Sequence, residues 1–268
     1  MIGRALLAAA VLTCGPLAAQ ERPPVSPAPD LSPPEARPLS RPADQTEAEV
    51  PPEQAEGEEA VSGTVFGPPP PPVWYSQAED DGKFAACRLA LSLLGTVYTT
   101  EPSVTDPENR DCGMARPIRV TQILPGVELT GQPLMRCGTA RALGFWTRDF
   151  LRPAAALMPG APRLTGLETG SGYTCRDRVG TGEAQPRPSE HGNGNAIDVM
   201  GFRFDAGEPL SIQPRTGDGD LSEAFQRTAQ GTACLLFTTV LGPGSNAAHA
   251  DHLHLDLAAR NSDWRLCE

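Results

Sequence analysis

Apolar side chains recur three or four positions apart in three stretches of the chain, a spacing that places them on one face of an α-helix. The three predicted helices cover residues 84–94, 140–150 and 221–240. The third is followed by a run of turn-forming residues at 241–245. The side chains predicted to face inward are Cys87, Leu91 and Leu94 in the first helix, Leu143, Trp146 and Phe150 in the second, and Phe225, Cys234, Leu235 and Phe237 in the third.

Alternating apolar and polar residues indicate strands at 118–123, 195–204 and 252–257. In the last of these, His252, His254 and Asp256 share one face, and the leucines that alternate with them share the other. The sequence shows no internal repeat. The pattern as a whole predicts an α+β domain with a small, mainly antiparallel sheet flanked by helices.

The first 19 residues predict export. Arg4 is followed by an apolar run and then by Leu-Ala-Ala at 17–19, which has the small residues of a cleavage site. The apolar run is too short to span a bilayer, so we interpret residues 1–19 as a signal peptide for the periplasm or cell envelope, with no transmembrane segment after cleavage. In an alternative interpretation, the run ending at Cys14 is a lipobox and Cys14 is lipidated, although Thr13 stands where a smaller residue is expected.

Residues 20–72 form a predicted linker. Fifteen of the 29 prolines lie in this segment, together with ten acidic and three basic residues. Such a composition cannot bury enough apolar surface to offset the entropy of ordering, so we expect the linker to be disordered. The folded domain is then 73–268, which holds 23 acidic and 18 basic residues. This mildly acidic balance argues against nucleic-acid binding.

The cysteines are consistent with an oxidising compartment. The chain has seven, and cleavage after Ala19 would remove Cys14 and leave six. An even number of cysteines in an exported domain predicts three disulfides, although fifteen pairings are formally possible. The six cysteines are Cys87, Cys112, Cys137, Cys175, Cys234 and Cys267.

Histidine gives the strongest chemical signal, because the chain has only four histidines and they lie in two motifs. The first motif, 189–198, contains His191 and Asp198, with glycines at 192 and 194 that let the backbone turn sharply. The second motif, 249–254, contains the other three histidines. His191, Asp198 and either His252 or His254 provide three ligands. Catalytic zinc sites have such a set, with a fourth position open to water.

These motifs resemble the bacterial extensin-like C-terminal domain family. That family is related to the D-Ala-D-Ala metallopeptidases, which include VanX/VanY-type carboxypeptidases and lysostaphin/MepA-like peptidoglycan endopeptidases. The shared pattern is Ser-x-His-x-x-Gly-x-Ala-x-Asp followed by a His-x-His strand. The resemblance covers about residues 80–268 and implies a D-Ala-D-Ala metallopeptidase-like fold. The matching stretches begin at Asp111, Leu134, Ser171, Ser189 and Val240.

By this resemblance, His191, Asp198 and His254 are the ligands of a Zn²⁺ cofactor. The related carboxypeptidases have a glutamate as general base three residues before the last histidine ligand, where this chain has Asp251. The endopeptidases instead use the first histidine of the His-x-His strand, here His252. We expect Asp251 to act as the base and His252 to stabilise the transition state. The alternatives are that His252 is the base and that Asp251 is only a turn residue.

Arg176 and Ser189 are the expected substrate-binding residues. In VanY-like members an arginine follows a similar Ser-Gly-Tyr, and a fixed guanidinium suits a peptide carboxylate or an oxyanion. The alternatives are a salt bridge for Arg176 and a capping role in the loop for Ser189. His249 is expected at the rim of the site, and Asp256 is expected either to orient an imidazole or to be solvated.

The resemblance implies zinc-dependent hydrolysis of peptide bonds in peptidoglycan stem peptides during cell-wall remodelling. Both a D,D-carboxypeptidase and an endopeptidase fit this description. Two other classes of function remain open. One is a non-catalytic, metal-containing module that binds the envelope, and the other is a scaffolding protein whose metal is structural.

Overall fold

The computed structural model describes residues 70–179, 187–215, 217, 219–260 and 264–268. The predictions of a signal peptide (1–19), of lipidation at Cys14 and of a linker up to residue 69 fall outside these residues. Among the residues described, no helix is long and apolar enough to cross a bilayer.

The limits of the longer helices follow from local sequence signals. The α-helices of the described residues are α1 (Val73–Ser76), α2 (Asp81–Leu94), α3 (Cys137–Trp146), α4 (Arg152–Ala155) and α5 (Leu221–Ala233). The Asp80 side chain accepts a hydrogen bond from Lys83 N and caps the start of α2, and Gly95 ends this helix with φ at 72°. The three residues predicted to face inward are buried, so the helix predicted at 84–94 is confirmed.

A π-helical turn, Thr147–Leu151, joins α3 and α4 into one helical stretch. Pro153 accounts for this turn, because proline has no N–H to donate to the preceding turn and its ring crowds the carbonyl four residues earlier. The predicted helix 140–150 lies inside this stretch, with Leu143 and Trp146 fully buried and Phe150 packed against the core.

The helix predicted at 221–240 is too long. α5 ends at Ala233, and the chain enters a strand at Thr239. The apolar run continues through this change, but the β-branched residues 238–240 favour an extended backbone. Leu235 is therefore 63% exposed, contrary to the prediction, whereas Phe237 is fully buried.

The sheet is larger than the sequence predicted. The strands of the described residues are β1 (Val97–Thr100), β2 (Val104–Thr105), β3 (Gly113–Met114), β4 (Pro117–Leu124), β5 (Val127–Leu129), β6 (Leu134–Arg136), β7 (Leu164–Thr169), β8 (Ala196–Phe204), β9 (Leu210–Ser211), β10 (Thr239–Leu241), β11 (Leu253–Asp256) and β12 (Leu266–Cys267). Ten of them form one sheet in the order β1-β4-β5-β7-β8-β11-β10-β12, with β6 paired to β4 and β9 to β8, while β2 and β3 form a separate pair. Many are too short to show an alternating pattern.

Most strand pairs are antiparallel, and only β5–β7 and β10–β12 are parallel among the pairs described. The predicted fold class is therefore confirmed in its coarse features: a mainly antiparallel sheet, few helices and three disulfides. The prediction that the sheet is small is wrong.

Helices pack against one face of the sheet, and the polar residues of the central strands occupy the other. The rings of Trp146 in α3 and Phe225 in α5 contact Phe202 of β8, with centroid distances of 6.3 and 5.1 Å. Burial of an aromatic side chain of this kind contributes roughly 1.5–3 kcal/mol.

The residues on either side of Asp198 in β8 and of His254 in β11 are core residues, so these two side chains lie on the opposite face. The register of β8 against β7 shifts between Val199 and Gly201, and this bulge lets Phe202 pack with the core although it stands four residues after Asp198.

Three disulfides join these elements. Cys87–Cys137 links α2 to α3, Cys112–Cys175 links the residue before β3 to the segment after β7, and Cys234–Cys267 links the end of α5 to β12. The predicted number of disulfides is confirmed. Each contributes about 3–5 kcal/mol in a chain-entropy model. Such bonds are consistent with an extracellular or periplasmic protein.

Candidate metal centre

The register between β8 and β11 brings Asp198 and His254 together. The two strands are antiparallel, and His254 lies directly opposite Asp198. Opposed side chains in such a pair lie on the same face, with Cβ atoms about 4.5–5.5 Å apart. Both residues are buried, so two potential ligands are held on neighbouring strands inside the sheet.

His191 reaches the same place from a 3₁₀ turn, Glu190–Asn193, that directly precedes β8. Ser189 caps this turn by accepting a hydrogen bond from His191 N at 3.4 Å, and Gly194 ends it with φ at 63°. A Cβ on Gly194 would overlap Sδ of the buried Met114. Glycine is therefore required here both for the left-handed backbone and for the close approach, as predicted for this loop.

Three donor atoms converge on one point: His191 Nε2, Asp198 Oδ1 and His254 Nδ1. His191 Nε2 lies 3.0 Å from His254 Nδ1 and 3.1 Å from Asp198 Oδ1, and His254 Nδ1 lies 3.1 Å from the same oxygen. Two ligands of a tetrahedral ion bound at about 2.0–2.1 Å are separated by about 3.3 Å. The triangle formed by these atoms is close to that size, and the group could hold a metal ion.

Hydrogen bonds on the far side of each imidazole determine which nitrogen faces the triangle. His191 Nδ1 lies 2.8 Å from the carbonyl oxygen of Gly172, and His254 Nε2 lies 3.2 Å from Oδ2 of Asp256. Each of these oxygens accepts a hydrogen bond from the N–H of its histidine. When the rings are neutral, the other nitrogen of each ring, which faces the triangle, therefore carries a lone pair. Three atoms bearing lone pairs then face one another, an arrangement that a cation between them would satisfy.

In the metal-free protein a proton takes the place of that cation. Burial raises the pKa of Asp198, but its polar and charge interactions with His191 and His254 outweigh burial and hold this pKa below its ordinary value. Burial lowers the pKa of His254, but its hydrogen bonds to Asp198 and Asp256 reverse the shift and raise the pKa to about 9. The metal-free group therefore contains a protonated imidazole beside a carboxylate at neutral pH.

We expect metal affinity to rise with pH, because the ion must displace the proton of His254. Below about pH 9, one proton leaves for each ion bound, so the apparent affinity should rise about tenfold per pH unit. Competition titrations of Zn²⁺ against a chelating dye between pH 6 and 9 measure this slope. A flat profile over that range would show that His254 is not a ligand.

The raised pKa of His254 also makes the metal-free fold less stable as the pH rises, whereas metal affinity increases with pH. The pKa of His254 is raised on folding, so its stabilising contribution is complete below the unfolded pKa of about 6.5 and is lost as the pH rises through 9. The melting temperature of the metal-free protein should therefore fall between pH 6.5 and 9, while that of the zinc-loaded protein should not show this fall.

His252 lies beside the triangle, and Asp251 is bonded to the other side of its ring. His252 Nε2 is 3.7 Å from Asp198 Oδ1, and His252 Nδ1 is 2.9 Å from Asp251 Oδ1. The Asp251 side chain is 75% exposed, and the hydrogen bond from His252 lowers its pKa. β11 begins at Leu253, one residue later than predicted, but His252 and His254 still approach the same carboxylate.

His249 is a third imidazole next to the triangle. It is buried, and its ring centroid lies 5.3 Å from that of His252 and 5.6 Å from that of His254. Its Nδ1 is 2.8 Å from Oδ1 of Asn246. Burial and the positive charge of the neighbouring histidines lower the pKa of His249 to about 4, so this ring is neutral at physiological pH.

A cavity of about 170 Å³ adjoins the triangle and is lined by Arg176, Ser189, His249 and His254, among others. Within the described part of the chain, Arg176 pairs with no carboxylate. The one hydrogen bond found for its guanidinium is long, 3.5 Å, to the carbonyl oxygen of Asp177. The Ser189 hydroxyl caps the turn, which is the alternative role foreseen for it, and Ser189 also lines the cavity.

Sequence reasoning did not single out two groups that hold His191 in place. Gly172 supplies the carbonyl that orients its ring, and a Cβ on Gly172 would lie 2.5 Å from a backbone oxygen. Buried Glu190 accepts hydrogen bonds from Arg178 at 2.8 Å and from Asn195 at 2.9 Å. In the sequence, only their positions marked these residues: Gly172 lies in the Ser-Gly-Tyr stretch, and Glu190 lies in the first histidine motif.

Asp256 was expected either to orient an imidazole or to be solvated. It is buried and bonded to His254, so the solvated alternative is wrong. Burial raises the pKa of Asp256, but the hydrogen bond with His254 and its charge, together with hydrogen bonds from Thr239 and Ala258, outweigh burial and leave this pKa below its ordinary value.

Comparison with known proteins identifies a family. A family model described as "Extensin-like protein C-terminus" matches residues 85–268. The match includes both histidine motifs and all six cysteines of the three disulfides. No curated protein and no solved structure gave a significant match to the chain.

Proposed function

We propose that this chain, which belongs to the extensin-like protein C-terminus family, is a zinc-dependent peptidase that hydrolyses peptide bonds of peptidoglycan. The observation that carries the proposal is the buried triangle of His191, Asp198 and His254, with an adjoining cavity. Structural zinc sites have four protein ligands, whereas catalytic sites have three and keep one position for water or substrate.

The donor atoms support zinc. Two imidazole nitrogens and one carboxylate oxygen suit this ion, and Gly172 and Asp256 would orient the two imidazoles that hold it. A Zn²⁺ ion bound there supplies a Lewis acid that activates water and polarises an amide carbonyl at neutral pH.

His252 is the proposed proton acceptor. Its Nδ1 donates to Asp251, so the lone pair of its Nε2 is directed towards the triangle, 3.7 Å from Asp198 Oδ1. Asp251 positions the ring and stabilises its charge after proton uptake, as a carboxylate does for histidine in other hydrolases. We therefore favour the alternative in which His252 is the base, and Asp251 has a positioning role.

Arg176 is the proposed contact for a negatively charged part of the substrate. Its guanidinium lines the cavity and is not neutralised by a carboxylate among the described residues, so it is available for a peptide carboxylate or a developing oxyanion. Ser189, at the wall of the same cavity, is the second proposed contact.

The proposal includes a fold like that of the D-Ala-D-Ala metallopeptidases and a location in the periplasm or cell envelope. The spacing of the two histidine motifs supports the first, and the antiparallel pair that holds Asp198 and His254 fits it. The three disulfides support the proposed location, because disulfides persist in oxidising compartments. Peptidoglycan, the proposed substrate, lies in the same compartment.

We expect the full chain to release peptides or amino acids from purified sacculi only in the presence of zinc. The His252→Ala variant should retain zinc but lose about 10²–10⁴-fold in rate, the usual contribution of a general base. Mass analysis of the products distinguishes a carboxypeptidase, which releases alanine, from an endopeptidase, which opens cross-linked dimers. If sacculi bind the zinc-loaded chain but yield no product, the hydrolase proposal is wrong and the envelope-binding alternative gains support.

A further inference from the structure

The segment 170–178, here called the supporting segment, positions two of the three ligand residues through its carbonyl groups. The backbone N–H of Asp198 donates to Ser171 O at 3.1 Å. The ring of His191 donates from Nδ1 to Gly172 O at 2.8 Å. The orientation of both ligands therefore depends on where this segment lies.

Further along, the supporting segment holds the 3₁₀ turn itself. Thr174 N donates to His191 O at 3.2 Å, and Ser189 N donates to Arg176 O at 2.8 Å. The supporting segment thus runs beside the turn and contacts it at Ser189 and at His191 itself.

The supporting segment buries few apolar side chains, so apolar packing contributes little to holding it in place. Gly172 is its one buried residue, and the others are partly or fully exposed. Segments with few buried apolar contacts open locally at low cost in free energy. Apart from the peptide bonds at its ends, the supporting segment has one covalent link to the rest of the domain, the disulfide from Cys175 to the fully buried Cys112.

Cys112 also packs against the turn that carries His191. A Cβ on Gly192 would lie 2.8 Å from Cys112 Sγ, so the sulfur is in close contact with the backbone of the turn. One disulfide therefore joins both structures on which His191 depends: the turn that bears it and the segment that orients its ring.

We propose that the Cys112–Cys175 disulfide is a positioning element of the metal centre, and that it must be closed for His191, Asp198 and His254 to bind their ion with full affinity. The inference rests on the metal-binding part of the proposed function and does not depend on hydrolysis. The chain would accordingly bind its metal with full affinity only after this disulfide has formed. The other two disulfides, between α2 and α3 and between α5 and β12, would have no such effect.

The test compares two double variants of the full chain. Cys112→Ser/Cys175→Ser removes the proposed positioning element, and Cys234→Ser/Cys267→Ser is the matched control. The two disulfides span 63 and 33 residues, so their loss should change the entropy of the unfolded chain by similar amounts. Serine pairs also leave no thiol that could bind the metal.

Zn²⁺ affinity is measured by competition with a chelating dye at a temperature where circular dichroism shows that both variants are folded. We expect the first variant to bind Zn²⁺ about 10- to 100-fold more weakly than the native chain, the usual effect of losing support around a ligand. The control variant should stay within about threefold. The visible spectrum of bound Co²⁺, which reports ligand geometry, should change only in the first variant.

Unchanged affinity in the first variant, or equal losses in both, would overturn the inference. Failure of the native chain to bind Zn²⁺ would overturn the metal centre and the inference together. Native zinc binding without hydrolysis would refute the enzyme and leave the inference intact.

A measurement on the native chain covers the case in which the first variant does not fold. The zinc-loaded protein is reduced in steps with a phosphine, the free thiols are alkylated, and the opened disulfides are identified by mass. Zinc release should follow the opening of Cys112–Cys175 and not that of Cys234–Cys267. Zinc that stays bound after Cys112–Cys175 has opened would also overturn the inference.

Discussion

Replacing His191 with alanine should weaken zinc binding about 10²–10³-fold and, at zinc concentrations that just saturate the native chain, remove the proposed hydrolytic activity. Structural zinc sites with four ligands bind by about 10–16 kcal/mol, or about 3–4 kcal/mol per ligand. Losing one ligand should therefore weaken binding about 10²–10³-fold. The two ligands that remain, Asp198 and His254, are fixed on neighbouring strands and cannot move to compensate.

Thermal unfolding with and without Zn²⁺ measures this effect. A ligand present at 100 times its dissociation constant stabilises the native state by about 2.7 kcal/mol, so zinc should raise the melting temperature of the native chain. It should leave that of the His191→Ala variant unchanged. His249→Ala is the matched control, because it removes a buried imidazole next to the triangle but outside the three-ligand group. If His191→Ala retains the zinc-induced shift, the triangle is not the binding site.

The second large effect is expected on stability, from Gly194→Ala. The left-handed backbone at φ 63° costs an alanine about 1–2 kcal/mol. The added Cβ would also overlap the buried Met114 side chain, and overpacking of this kind typically costs about 1–3 kcal/mol more. The free energy of unfolding should therefore fall by about 2–5 kcal/mol, the sum of these two costs.

Gly126→Ala separates the two causes. Gly126 has a similar backbone, with φ at 77°, but a Cβ there would meet nothing within 4 Å. This variant should lose only the backbone cost of about 1–2 kcal/mol. Urea unfolding of the metal-free proteins provides both values. Equal losses would mean that Met114 moves aside without cost and that the turn does not depend on close packing at this position.

The parts of the fold that could be predicted are those whose signal is local. The helix predicted at 84–94 has its apolar period, and the observed helix α2 has a capping residue just beyond each end, Asp80 and Gly95. The alternation around His252 and His254 predicted that the two imidazoles share one face, and in the structure both approach Asp198. In contrast, strands such as β10 and β12 have two or three residues, and such lengths carry no period that the sequence could reveal.

The candidate site also has residues that the sequence could indicate and contacts that it could not. The residue types in the two histidine motifs indicated His191, Asp198 and one histidine of the pair at 252 and 254, and the family resemblance specified His254. The pairing of Asp198 with His254 depends on the register of two strands that are more than 50 residues apart in sequence, and no local pattern encodes such a register. The support from Gly172 O is a backbone contact, for which side-chain chemistry gives no sign.

The three ligands of the proposed centre also differ in how easily they can move, and this bears on how an ion enters and leaves. Asp198 and His254 belong to paired strands within the ten-stranded sheet, whereas His191 stands on a turn of four residues. Core strands open only with the whole domain, but short turns open in local fluctuations. Opening of the turn would release one ligand while the sheet stays intact. We therefore expect the bound ion to exchange faster than the domain unfolds, at a rate governed by the lifetime of the closed turn.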